Sequence, residues 1–260
     1  MSNALLDLRN VTIRFGGLLA VSDLDFHIQP NELVGLIGPN GAGKTTVFNL
    51  ITGVYTPTSG GICFDGDSVA GQSAHQITAK GIARTFQNIR LFNSLSVLDN
   101  VRTAFNLHLE GGFMSAIFRG KRFQNEEARV RAKALELLEI FGLDSVADLP
   151  CRSLSYGDQR RLEIVRALAT QPRLLLLDEP AAGMNATEKV ELMKLIRFTQ
   201  ERFGLAVLLV EHDMKVVMGI CQRIAVIEYG RKIAEGTPDE IRRNPKVIAA
   251  YLGEEVSHDA

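Results

Sequence analysis

The run Leu33-Val34-Gly35-Leu36-Ile37 is short, uncharged and almost wholly apolar, the composition of a parallel strand covered on both faces. It leads directly into Gly38-Pro39-Asn40-Gly41-Ala42-Gly43-Lys44-Thr45-Thr46. Gly38, Gly43, Lys44 and Thr45 fit the spacing G-x-x-x-x-G-K-[ST] of a phosphate-binding loop. A buried strand, a glycine turn and a helix must therefore follow one another here. Glycines allow consecutive backbone N–H groups to turn inward around an anion. The helix starting near Lys44 adds the positive end of its dipole. Lys44 is then placed for the β- and γ-phosphates of a nucleotide, and the Thr45 hydroxyl for Mg²⁺. Residues 38–46 are the candidate polyphosphate site.

Two further runs read as buried strands. Leu174-Leu175-Leu176-Leu177 needs cover on both faces, which implies a parallel sheet with helices around it. It ends in Asp178-Glu179, where open α/β sheets bind ligands. Asp178 suits a Mg²⁺-linked position and Glu179 a general base. Ala206–Val210 is the other run, closed by Glu211-His212-Asp213. His212 is either a contact to a γ-phosphate or a structural histidine.

Around these runs the chain changes character twice. Leu6, Leu8, Val11, Ile13 and Phe15 alternate with a slip at Arg9-Asn10, the pattern of an edge strand with a bulge. Phe15 either stacks on an adenine ring or belongs to the core. Ile82–Phe86 reads as a strand, with Gln87 at its end. Helical signals dominate residues 88–168, where Val130, Ala134, Leu137, Leu138 and Phe141 form an amphipathic stripe. Asn106–Arg122 reads as a packed insertion or as a surface facing a partner or membrane, because an apolar run there ends in three basic residues. Ser155-x-x-Asp158 is a capping-box pattern, and the N–H groups of that helix start offer a second anion site. Residues 246–252 read as a last short helix and 254–260 as a loose tail.

Composition narrows the partners. Hydrophobic residues make up 46% of the 260, enough for a sizeable core. The net charge of −1 shows no basic excess, so nucleic acid is not expected. Cys63, Cys151 and Cys221 have no metal-binding spacing and fit reduced thiols. No apolar signal region precedes Asp7, and the uncharged run Thr45–Phe64 is too rich in threonine and glycine for a membrane span. A membrane role is expected to come through a partner.

Taken together, Gly38–Thr45, Gln87, Leu154–Asp158, Leu174–Glu179 and His212 stand in the order and spacing of the ATP-binding subunits of ABC transporters, which the chain resembles over nearly its whole length. Arg14–Val21, Arg84-Thr85-Phe86-Gln87, Tyr156–Glu163 and Glu211-His212-Asp213-Met214 make it most similar to the subunits of branched-chain amino-acid importers. The resemblance implies a P-loop NTPase fold of α/β class: a mostly parallel sheet, an antiparallel N-terminal β part and a helical lobe at about 88–168 within one domain spanning 1–253. It implies ATP and Mg²⁺ as ligands. Glu179 would be the catalytic base, His212 a switch histidine, and Gln87 a residue linking catalysis, metal and membrane subunits. Phe15 would stack on adenine, Thr45 and Asp178 would serve the metal, and Ser155 and Gly157 would touch nucleotide on a second ATP-binding subunit. The expected partners are that subunit, the transmembrane permeases and, indirectly, a periplasmic or extracellular substrate-binding protein. The expected place is the cytoplasmic face of the cell membrane. The general signature Leu-Ser-Gly-Gly-Gln is altered here at Tyr156 and Asp158, and Asn185 stands where many relatives carry Asp. No Asn-Lys-x-Asp motif of a GTPase is present. Lipid or lipopolysaccharide export within the same superfamily is the alternative reading.

Overall fold

The computed structural model describes residues 4–105 and 121–255, with the backbone alone for 121–123 and 252–255. Its residues form two compact units, one running up to Gln87 and again from Arg173, the other comprising Asn88–Pro172.

The first unit contains two sheets. An antiparallel sheet is built from β1 (Leu6–Phe15), β2 (Leu18–Ile28), β4 (Ser59–Phe64) and β5 (Asp67–Ser68) in the order β2-β1-β4-β5. The expected bulge is present: register shifts between Leu8 and Val11, and Asn10 adopts φ +47°. The expectation of an edge strand is overturned. β1 is flanked by β2 on one side and β4 on the other, because the glycine-rich segment before Ile62 is itself extended and pairs with it.

The second sheet contains β3 (Leu33–Ile37), β6 (Ile82–Arg84), β7 (Leu174–Asp178), β8 (Ala206–Val210), β9 (Arg223–Glu228) and β10 (Arg231–Gly236). Its order is β10-β9-β3-β8-β7-β6, with every pairing parallel except β9 with β10. All residues of β3, β7 and β8 are buried, as their unbroken apolar runs require. α1 (Lys44–Ile51) lies in the core shared by both sheets, where Phe48 and Ile51 join Leu8 and Phe26 with Leu36 and Leu208. Each of these fully buried side chains contributes about 2 kcal/mol of transfer free energy.

Four of the remaining helices of this unit start on side-chain caps. α2 (Ala74–Ala79), α6 (Ala186–Phe203) and α8 (Pro238–Arg243) each carry a reciprocal capping box, through Ser73, Asn185 and Thr237 respectively. α7 (Met214–Ile220) is capped by Asp213. α9 (Pro245–Glu255) is longer than the sequence suggests. Residues 254 and 255 belong to this helix rather than to a tail, because their backbone continues its hydrogen bonding past the last apolar residue. Residues 256–260 lie outside the described residues.

In the second unit the described residues are mainly helical: α3 (Val97–Phe105), α4 (Lys121–Ile140) and α5 (Tyr156–Leu168), with 3₁₀ turns at Asp144–Val146 and Cys151–Ser153. Of the stripe on α4 and just beyond it, Val130, Ala134, Leu138 and Phe141 are buried and Leu137 half-buried. The insertion is outside the described residues from 106 to 120. On α5, Arg160 and Glu163 form an ion pair at 2.8 Å with both side chains 2% exposed. Removing one partner of a buried pair costs about 3–5 kcal/mol. Arg160→Met should therefore lower the urea midpoint sharply, whereas Arg160→Met combined with Glu163→Leu should recover most of the loss. Equilibrium unfolding of the two variants checks this.

Candidate active site

Strand register assembles the site. Leu36 of β3 and Asp178 of β7 both pair with Val210 of β8. Three strands therefore end level, and the segments following them emerge side by side: residues 38–46, Glu179 onward and Glu211–Asp213. Glu179 reinforces this by donating its backbone N–H to the Val210 carbonyl at 2.9 Å.

The glycine loop is as tight as its spacing suggests. Gly38, Gly41 and Gly43 have φ of +155°, +75° and +103°. A Cβ at Gly38 would lie 2.0 Å from the Ile227 carbonyl oxygen, and one at Gly43 would lie 2.8 Å from that of Ala20. The loop is thus wedged between β9 and β2, and only glycine fits at either point. α1 begins with no side-chain cap and no acidic residue in its first turn. The other helices of this unit that bear a cap use Ser, Asn, Thr or Asp. An uncapped helix start inside a nest of N–H groups suits a phosphate anion. The Lys44 ammonium is buried and donates to the carbonyls of Gly38 at 2.5 Å and Pro39 at 2.7 Å, so it stands inside the same loop. Asn40, Gly41 and Thr45 are exposed on this loop, Pro39 and Ala42 are buried, and Thr46 is half-buried.

The two carboxylates after β7 take different partners. Asp178, 7% exposed, binds the Arg84 guanidinium through Oδ2 at 2.7 Å. Arg84 in turn donates to Asn49 Oδ1 on α1 at 2.7 Å and lies over the rings of Phe48 and Phe86. Glu179 adopts φ +46°, a left-handed conformation that costs a residue with a Cβ about 1–2 kcal/mol. Backbone strain of this kind concentrates at working sites. The Glu179 Oε2 accepts a hydrogen bond from Gln87 Nε2 at 2.7 Å and lies 3.6 Å from His212 Nδ1. The structure thus brings Gln87, Glu179 and His212 into one cluster, with Gln87 and His212 exposed. Phe15 is 41% exposed and makes a T-shaped contact with Tyr55, at 4.9 Å between centroids and 68° between planes. It is therefore not a core residue, which closes one of its two sequence readings.

Sequence reasoning gave no role to Arg84 or Glu211. Each carries a signal in retrospect: a charged residue closing the short apolar strand β6, and a carboxylate immediately following the apolar strand β8.

Comparisons with known proteins give the family. The ABC transporter family profile matches residues 21–182, well over half of the chain. The chain belongs to the ABC transporter family. A second profile, that of the branched-chain amino acid ATP-binding cassette transporter, matches residues 231–257. The high-affinity branched-chain amino acid transport ATP-binding protein BraF of Pseudomonas aeruginosa is 46% identical over 254 residues, covering 98% of this chain and all of the relative. The lipopolysaccharide export system ATP-binding protein LptB of Escherichia coli is 34% identical over 252 residues, covering 97% of this chain and 98% of the relative. Among solved structures, an ATP-binding cassette of an ABC transporter in its ADP conformation superimposes with a TM-score of 0.84 at 27% identity, covering 97% of this chain and all of that one.

In this ABC ATPase the altered signature is locally coherent. Ser155 caps α5, accepting from the Asp158 N–H at 3.2 Å. The Asp158 carboxylate accepts from the Ser155 hydroxyl at 2.8 Å and pairs with Arg161 at 3.2 Å. Asp158 thus serves the cap. Tyr156 lies against the Arg160 guanidinium, 5.8 Å from its ring centroid. Ser155 and Gly157 both belong to the second unit. Among the described residues no helix is long and apolar enough to cross a membrane.

The ion pair at Asp178 yields a test. Arg84→Met removes the guanidinium that lies over Phe48 and leaves a buried carboxylate without its cation, at a cost of about 3 kcal/mol. The unfolding midpoint of the nucleotide-free protein should fall accordingly, and Arg84→Lys should fall less. Thermal melts of the two variants beside wild type measure the difference.

Proposed function

We propose that this ABC ATPase powers the import of branched-chain amino acids, with its nucleotide held by residues 38–46 and its hydrolysis run by the Gln87–Glu179–His212 cluster. The observation that carries the import reading is the 46% identity to BraF over 98% of this chain and all of BraF, joined by the branched-chain transporter profile at residues 231–257. The lower identity to LptB makes lipopolysaccharide export the weaker reading.

Each residue has a physical task. The N–H groups of residues 38–46 and the start of α1 hold the phosphates, and Lys44 neutralises charge on the β- and γ-phosphates. The exposed Phe15 ring stacks on adenine. The residues that would hold Mg²⁺ offer the hard oxygen ligands it prefers: the exposed Thr45 hydroxyl, the Asp178 carboxylate, of which Arg84 occupies one oxygen, and the Gln87 amide oxygen. When bound, Mg²⁺ supplies further charge neutralisation on the phosphates. Glu179 orients the attacking water and takes its proton, and His212 lies beside the same carboxylate to hold the reacting geometry. Ser155 and Gly157 serve nucleotide on a second ATP-binding subunit, so that two subunits enclose two ATP molecules. Gln87 and the second unit face the permeases, with a substrate-binding protein delivering cargo on the far side. The chain then works at the cytoplasmic face of the cell membrane.

Two variants test the chemistry. Lys44→Ala should abolish ATP turnover with the fold intact, read by phosphate release beside circular dichroism. Glu179→Gln keeps size and hydrogen bonding but cannot accept the proton, so turnover should fall about 10²–10⁴-fold, or roughly 3–5 kcal/mol of barrier. Nucleotide binding should survive in this variant, and an ATP-bound dimer should accumulate on size-exclusion chromatography with MgATP. Wild-type turnover in either variant overturns the assignment of that residue.

Cargo is tested separately. Proteoliposomes containing the chain with its permeases and binding protein should take up labelled leucine only with internal ATP. Deletion of the gene should lower leucine uptake by cells. Unchanged leucine uptake together with a defect in lipopolysaccharide export would reverse the reading.

A further inference from the structure

Glu211 follows β8 directly and is 1% exposed. Its Oε1 accepts the backbone N–H of Ala181 at 2.7 Å. Its Oε2 accepts the backbone N–H groups of His212 at 3.2 Å and Asp213 at 3.4 Å. Ala181 stands two residues after Glu179, in a turn closed by Ala182 N–H to the Glu179 carbonyl at 3.2 Å and Met184 N–H to the Ala181 carbonyl at 3.1 Å. One buried carboxylate therefore ties the turn that carries Glu179 to the turn that carries His212.

The other neighbour of His212 makes a parallel link. Asp213 pairs with Lys189 of α6 at 2.6 Å and caps α7 through the N–H groups of Lys215 and Val216. The Lys189 ammonium holds the Asp213 carboxyl below its usual range. His212 thus sits between two acids, each gripping chain that follows Glu179. Burying a carboxylate is costly unless it is hydrogen-bonded. Burial pushes the Glu211 carboxyl above its ordinary value, and the N–H donors work against that rise. The side chain spends its hydrogen bonds on backbone, and none of the tasks assigned above to nucleotide or proton transfer requires it.

We infer that Glu211 is a positioning residue for ATP hydrolysis: by clamping the backbone of Ala181 to that of His212 and Asp213, it sets the distance between the His212 imidazole and the Glu179 carboxylate. This rests on the reading of His212 and Glu179 given under Proposed function. The clamp acts on placement within the reacting cluster and not on the phosphate loop. Its loss should therefore appear in kcat and leave KM for ATP alone. A displacement of about 1 Å in such a cluster costs on the order of 10²-fold in rate.

The test is steady-state ATP hydrolysis by Glu211→Gln, His212→Ala and the double variant, with thermal melts of each. Glu211→Gln replaces an acceptor by an NH₂ group that must face an N–H donor. Its kcat should fall at least about tenfold with KM within about threefold of wild type. In the His212→Ala background the same change should cost less than twofold, because the residue it positions is gone. If Glu211→Gln does not fold, Glu211→Asp is read instead; it keeps the charge, shortens the reach by one methylene, and should show the same split. Wild-type kcat in Glu211→Gln while His212→Ala is impaired would overturn the clamp alone. Equal losses in both backgrounds, or a loss shared by KM and kcat, would reduce Glu211 to a structural role and overturn it as well. Wild-type turnover in His212→Ala would instead remove the reading of His212 on which the clamp depends.

Discussion

The register of three parallel strands is the constraint on which the site depends. β3 and β7 each flank β8, and Val210 pairs with Leu36, the penultimate residue of β3, and with Asp178, the last residue of β7. A slip of one residue in either pairing would move every side chain of that strand to the opposite face. It would also lift Asp178 away from α1, whose Asn49 and Phe48 hold Arg84 against it. Full burial of all three strands removes that freedom, since no polar residue interrupts them before their last position. The apolar core thereby does the aligning, and the chemistry is attached where the strands stop.

What is attached there is balanced charge by charge. Lys44 rests on the carbonyls of its own loop, Asp178 rests on Arg84, and Glu179 rests on Gln87. Each of these three groups thus has an internal partner of suitable chemistry. Buried charge without such a partner would cost several kcal/mol, so these contacts keep the site folded. The left-handed backbone at Glu179 runs against this economy, and its N–H bond to Val210 holds the strained residue in place. The same logic extends to Glu211, whose carboxylate is satisfied wholly by backbone donors of two neighbouring turns.

Much of this was legible in the chain itself. Unbroken apolar runs identify β3, β7 and β8, because a strand buried on both faces can carry no alternating polar residues. The glycine–lysine–threonine spacing marks the candidate phosphate loop, because glycines at those positions let the chain turn tightly between β3 and the start of α1. Periodicity finds the buried face of α4, and cap chemistry at Ser155 finds the start of α5. Failures came where pairing partners decide the outcome. β1 reads as an edge strand because its own alternation is indifferent to whether a second neighbour exists, and β4 supplies one. α9 reads short because its last residues lack an apolar signal, although the backbone continues helical.

Sequence alone thus determined the family of the chain, the strand–loop–helix unit of the phosphate site and the identity of most candidate residues, since these depend on local spacing and composition. Tertiary structure decided which of those residues meet. No local rule pairs Arg84 with Asp178, which are 94 positions apart, or Gln87 with Glu179, 92 apart. Nor does any local rule place the Glu211 carboxylate on the N–H of Ala181, 30 positions earlier. Such contacts arise from strand order, and strand order follows from how β3, β6, β7 and β8 share one buried sheet. The physical reason is that hydrogen bonds and ion pairs act over a few ångströms of space, whereas a sequence records only distance along the chain.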